Sequence, residues 1–394
     1  MNTECCQQNI CINKSHVDTN WRWTVMRFAV ATIILTAGGC LDYENNKPND
    51  SWANLRVREY PFIKKERSVK KLLDISNEDR ELIWNFVKLP KNEELGLSFV
   101  FHYWAVYSLR PEKYQNEIAF FRSIIQQEKK GKEILGDPVF RPSKFGIAMV
   151  SGRTSRSYET HRDQGLAELG LLGIPSTFEI EVSGRKCSLK DAIRECIANF
   201  YLNEKELAWS ATVLALYLPP QKEWINRFGE QCTFEVLVDK LLQCRFEDNS
   251  CAGVHLLEAL TLIYEVSLKE GILLREVQQK LREHLRIILD TVIQSQDKTG
   301  YWRLDWFNAI PDYNQPFDKP HVWTPPDDKE NRLLATCHLV EWMLGLPDEF
   351  EVPDLTLLRS GEWMLNHLRN KNLKEPALIC PYGHAVRDLE LLSR

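Results

Sequence analysis

The sequence predicts an all-α protein, an (α/α)6 toroid of about six helix pairs with two long loops, and three observations carry that expectation. Apolar residues recur at helical spacing almost without a break from Asp79 onward. Strand-like alternation is confined to the short run FEIEV near Phe178. Similar segments also return at a near-constant step, the signature of stacked helix pairs.

Composition sets the broad class. Of the 394 residues, 44% are hydrophobic and 27% charged, which excludes a disordered chain and a multi-span membrane protein. The net charge of -5 leaves no basic surplus, so no nucleic acid is expected as a partner. Twelve Trp require a core or a cleft to receive them. Seven of the eleven Cys (Cys187, Cys196, Cys232, Cys244, Cys251, Cys337 and Cys380) lie beyond residue 40; an odd number cannot all pair, and most read as small buried hydrophobes.

The first element is an address. Arg22 and Arg27 precede the apolar run from Phe28 to Gly39, too short to span a bilayer but the right size for a signal-peptide core. It ends in Ala37-Gly38-Gly39-Cys40, which resembles a bacterial lipobox with Ala37 in place of the usual Leu. That reading makes residues 1–39 a signal peptide, with Met26 as an alternative start to Met1. Cys40 becomes the lipidated residue, 40–78 a tether and lead-in, and 79–394 a single domain. The expected location is the bacterial cell envelope, exported and tied to the membrane by lipid. An uncleaved hydrophobic anchor is the alternative.

The helices follow in pairs: Asp79–Leu89 with Glu93–Leu109, Glu112–Lys129 with Tyr158–Leu172, and Ser188–Tyr201 with Glu204–Leu218. The last three pairs are Thr233–Cys244 with Ala252–Lys269, Leu273–Gln296 with Glu330–Leu346, and Asp354–Arg369 with His384–Ser393. Ser188-Leu-Lys-Asp191 reads as a capping box with Asp in the acidic position. Laid over one another, the second helices align His102, His161, Trp209, His255, His338 and His384, at steps of 59, 48, 46, 83 and 46 residues. The two long steps contain the two long loops, Lys130–Ser157 and Asp297–Lys329. Six pairs can close on themselves with the second helices inside, and the aligned residues would then face a central cavity; an open curved stack is the alternative.

Leu289–Trp302 reads LDTVIQSQDKTGYW. With Gln294, Asp297, Gly300 and Trp302 it resembles the repeat of the squalene-cyclase and protein-prenyltransferase superfamily, which implies an α/α toroid. The chain has no D-x-D-D motif, so the resemblance does not extend to proton-initiated cyclisation. A second resemblance is to the lanthionine cyclases, toroids whose zinc is held by a Cys and a Cys-His pair on neighbouring repeats. It implies zinc on Cys251, Cys337 and His338, with His255 and His384 as plausible neighbours and Cys380 four residues before His384; Leu339 stands where that family has Gly, and the spacing differs. The alternative is that both Cys are core residues and the His cap helices or line a cavity.

His255 with Glu258, and His338 with Glu341, are three residues apart and share a helix face. Each pair suits acid–base work or a structural hydrogen bond. The loop Asp297–Lys329 carries Trp302, Trp306, His321 and Trp323, which could form a lid or a glycan- or lipid-stacking surface, or pack the loop down. Three functions follow as expectations. One is an enzyme with its active site in the ring's cavity, acting on a small molecule, lipid or glycan. Another is a non-catalytic binding or scaffold protein of the envelope. The third is a carbohydrate-active α/α barrel using two of Glu258, Glu341 and Asp388.

Overall fold

The computed structural model describes residues 56–64, 67, 71–89, 95–152, 154–220, 223–311, 327–371 and 379–394, all within one compact unit. Cys40, His321 and Trp323 lie outside the described residues. The described chain is mostly helical: α1 (Asn77–Asn85), α2 (Leu97–Tyr107), α3 (Pro111–Gln126), α4 (Glu128–Leu135), α5 (Gln164–Leu171), α6 (Leu189–Asn199), α7 (Leu207–Tyr217), α8 (Phe234–Leu241), α9 (Val254–Glu270), α10 (Arg275–Ser295), α11 (Lys329–Leu344), α12 (Asp354–Arg369) and α13 (Ile379–Leu392). Three antiparallel hairpins decorate it: β1 (Phe140–Pro142) with β2 (Ile147–Met149), β3 (Glu179–Val182) with β4 (Arg185–Ser188), and β5 (Trp224–Ile225) with β6 (Gln231–Cys232).

Local chemistry explains the starts. Ser76, Thr233 and Asp328 cap α1, α8 and α11 by accepting from the backbone N–H three residues on. The capping box of α6 is present, with the Asp191 carboxylate accepting from the Ser188 amide at 2.8 Å. Burial separates two kinds of helix. All eleven residues of α7 are buried, whereas α10 buries one stripe through Leu281, Leu285, Ile288, Leu289 and Val292. The stretch Ser250–Glu270 is long and apolar enough to cross a membrane, but most of it is buried inside the fold, as a core helix is.

The buried helices are neighbours in sequence order: α2 packs on α5, α5 on α7, α7 on α9, α9 on α11, α11 on α13, and α13 on α2. Around them α3 packs on α2, α6 on α7, α8 and α10 on α9, α12 on α11 and α13, and α1 on α12. The segment leading into α1 is more than a tether. Its amides reach the last carbonyls of the buried helices: Arg58 to Tyr217, Phe62 to Leu216, Arg67 to Leu344, and Leu72 and Leu73 to Leu392, at 2.8 to 3.0 Å. This strap satisfies acceptors that a helix C-terminus leaves without intrahelical partners.

Several boundaries differ from expectation for identifiable reasons. Glu112–Lys129 is broken at Gln127, which is extended, and α4 restarts beyond it and ends on the left-handed Gly136. The loop Lys130–Ser157 therefore holds the end of α4 and a hairpin. FEIEV is a strand, β3, paired with β4. The helix expected from Tyr158 begins only at Gln164, after left-handed Asp163. The last helix begins at Ile379, which places Cys380 on it. The glutamine that engages Gly300 is Gln296, not the exposed Gln294. Its amide also donates to the Thr356 carbonyl and the Ser360 hydroxyl, both at 2.9 Å, which ties the end of α10 to α12.

Candidate functional site

The six aligned residues come together as one chain of side-chain rings. His161 lies 6.2 Å from Trp209 between ring centres, Trp209 4.3 Å from His255, His255 5.2 Å from His338, His338 4.1 Å from His384, and His384 5.2 Å from His102. They sit on α2, α7, α9, α11 and α13, with His161 just ahead of α5.

Each of the five imidazoles is oriented through Nδ1. In His102 and His338, Nδ1 meets the carbonyls of Ser98 and Leu334 at 2.7 and 2.9 Å. In His161, His255 and His384 it meets the carboxylates of Glu206, Glu258 and Glu341 at 2.5, 2.7 and 2.5 Å. A carbonyl or ionised carboxylate oxygen can only accept, so these contacts place a proton on Nδ1 and direct Nε2 away from it. Oriented imidazoles of this kind are characteristic of metal ligands. His338 is the extreme case. It is fully buried, and its Nε2 has no hydrogen-bond partner. Burial, and then the neighbouring His384 and His255, push its pKa well below the ordinary value and keep the ring neutral.

Two thiols join the imidazoles. Cys251 and Ala252 have φ of 52° and 54°, and Gly253 follows at 76°, a left-handed turn just before α9. Such a turn is costly for residues bearing Cβ. Gly253 is required there, because a Cβ would lie 2.7 Å from the Phe246 backbone. Cys380 lies in the first turn of α13. The candidate ligand atoms form two triads, Cys251–His338–Cys380 and His102–Cys380–His384, with the atoms of each within 4.8 Å of one another.

Cys337 belongs to neither triad, which corrects the expected ligand set. Cys337-His338 lies in the middle of α11 rather than at its start, so the two side chains diverge by about 100°. His338 turns toward the triad, while the Cys337 thiol is fully buried and donates to the Leu334 carbonyl at 3.4 Å. Burial pushes that thiol's pKa well up. The second expected His-x-x-Glu pair is also re-partnered: Glu341 holds His384 on the next helix, together with Arg387.

Beside the Trp209 and His255 rings a cavity of about 300 Å³ opens. Trp209, His255, Glu258 and Glu341 line it, with Lys64 of the strap, Glu168 and Arg387. Burial works against an ionised Glu258, but the charge and hydrogen bond of His255, helped by Lys64, outweigh it and hold its pKa below the ordinary value. Burial raises the pKa of Glu168, and His255 and His384 only partly oppose it. Two carboxyls of one cavity are thus driven in opposite directions, the arrangement of an acid and a base.

The remaining expected residues lie elsewhere. Asp388 is fully buried and does not line the cavity. Trp302 is buried with Nε1 donating to the Val292 carbonyl at 2.7 Å, and buried Trp306 packs on Phe246 at 5.1 Å between rings, so neither offers a stacking surface. Sequence reasoning missed Lys64, Glu168, Glu206 and Arg387, and gave Cys380 no ligand role. Arg387 had a signal: it stands three residues after His384, as Glu258 does after His255 and Glu341 after His338. Comparison with protein-family models, with curated proteins and with solved structures finds no match to this chain, so the site stands on its own chemistry.

Proposed function

We propose that this chain is an exported, lipid-anchored envelope enzyme, an (α/α)6 toroid with a metal-dependent active site on its axis. The neighbour order that runs from α2 through α13 and back to α2 supports the toroid, as does the α10–α12 junction at Gln296 and Gly300. The Cys40 sequence context supports the anchor.

The observation that carries the reading is His338. A fully buried imidazole with Nδ1 satisfied and Nε2 unmatched, beside the thiols of Cys251 and Cys380, is poorly explained as packing. Imidazole and thiolate suit zinc, and three protein ligands leave an open coordination position. A bound zinc would supply Lewis-acid polarisation of a substrate oxygen. The chain's own groups do the rest. Lys64 and Arg387 place positive charge in the cavity, Glu168, which burial favours in its acid form, is the group suited to give a proton to the substrate, and Glu258 is the one suited to accept one.

Elemental analysis of the full chain purified without chelator tests this reading. Stoichiometric zinc, lowered in Cys251→Ser, is expected. A folded protein with no bound transition metal would overturn it. Glu168 and Glu258 also favour a second reading, glycan hydrolysis by the two carboxyls alone. Glycosidase activity that survives complete metal removal would select it.

A further inference from the structure

We infer that Cys380 is a bridging ligand and that the axis holds two metal ions, one on Cys251, His338 and Cys380 and the other on His102, His384 and Cys380. This rests on the reading that the axis binds metal, and it changes the number of ions and the role of one thiol.

The argument begins with a ligand count. Five donors surround the site, three imidazoles and two thiols, whereas a tetrahedral zinc takes four ligands. With zinc–sulfur near 2.3 Å and zinc–nitrogen near 2.0 Å, the ligand atoms of one ion stand about 3.3 to 3.8 Å apart. The five donors do not form one set on that scale. Among the described residues they fall into two triads that share only the Cys380 sulfur. A thiolate has lone pairs for two soft divalent ions, and each ion would then have three protein ligands and an open position. Two ions held this way would lie about 3.5 to 4 Å apart, the spacing at which a pair can act on one substrate oxygen.

The surroundings are built for both halves. Cys380, near the start of α13, supplies the sulfur that the two triads share. Cys251 is presented by the left-handed turn before α9. Each half has its own orienting contacts: the Leu334 carbonyl on His338 for one, and Glu341 on His384 with the Ser98 carbonyl on His102 for the other. Glu341 is itself anchored by Arg387.

The test is a cobalt(II) titration of the metal-free full chain, followed by thiolate-to-cobalt charge-transfer absorption and checked by elemental analysis. The expected endpoint is two ions per chain. His102→Ala is expected to bind one, Cys251→Ser one, and Cys380→Ser none tightly. His102→Ala and Cys251→Ser keep the test decisive if Cys380→Ser fails to fold. A wild-type endpoint of one ion, unchanged in His102→Ala, would overturn the two-ion centre and leave the single-metal enzyme standing. Retention of one tight ion by folded Cys380→Ser would overturn bridging. No binding at all, or a Cys251–Cys380 disulfide in the purified protein, would overturn both this inference and the function on which it rests.

Discussion

Replacing His338 by Leu should change the sign of its effect with metal. The side chains are similar in size, and His338 is fully buried. In metal-free protein the substitution removes an unmatched buried nitrogen, whose burial costs about 1 to 3 kcal/mol. It also removes the 2.9 Å contact to the Leu334 carbonyl, worth about 1 kcal/mol. The net expectation in chelator is a variant about 1 kcal/mol more stable than the parent. With free zinc at about 1,000 times its Kd the parent gains about 4 kcal/mol, and the variant, lacking a ligand, gains much less. The order of stability should therefore invert. Urea denaturation of both proteins with chelator and with zinc, followed by far-ultraviolet circular dichroism, reads this directly. If His338→Leu were destabilised by several kcal/mol in chelator and both proteins responded equally to zinc, His338 would be a packing residue and the argument from its nitrogen would be wrong.

Three further outcomes can be checked. Gly253→Ala should cost about 3 kcal/mol by thermal or urea melting, because it combines a left-handed φ with a backbone collision. Gly271→Ala, left-handed but in open space, should cost only about 1 kcal/mol. Burial raises Glu204 to about 7, with Arg162 opposing, so its protonated form is favoured in the folded state. Stability should fall by about 3 kcal/mol from this group as pH rises from the ordinary carboxyl range to 7, and Glu204→Gln should flatten that slope in urea midpoints. Glu168 is also raised by burial, so its protonated-carboxyl infrared band, absent from Glu168→Gln, should persist to higher pH than that of an exposed glutamate.

Helix periodicity was legible because apolar spacing at 3.6 residues is a local property. The alignment of His102, His161, Trp209, His255, His338 and His384 was legible as a near-constant step in sequence, and the rings it pairs lie 4.1 to 6.2 Å apart. The partners were not. Glu341 faces His384 rather than His338 because the nearer imidazole belongs to the adjacent helix, and no spacing along one helix can report that. Cys337 was misread because adjacent residues two turns into a helix point about 100° apart, so the thiol cannot share a site with the His338 ring. Cys380 enters both candidate triads because it lies on α13, a helix that the apolar pattern started only at His384. Glu168 follows His161 by seven residues rather than three, because the chain turns through left-handed Asp163 before α5 starts. Trp302 looked available in a loop sequence, but Gly300 lets the chain pass against the Arg359 carbonyl and carries the indole inward.

The strap across the helix ends sets an order in time. Leu72 and Leu73 donate to Leu392, α1 packs on α12, and α2 packs on α13. These partners are separated by some 280 to 320 residues, so they meet only after nearly all of the chain has been made. Until then α2, which buries seven of its eleven residues, has α3 and α5 to pack on but not α13. Contacts this distant are entropically expensive to form and slow folding. During synthesis the early helices should thus remain open to chaperones, and a nascent chain stalled before α13 should be protease-sensitive along its whole first quarter.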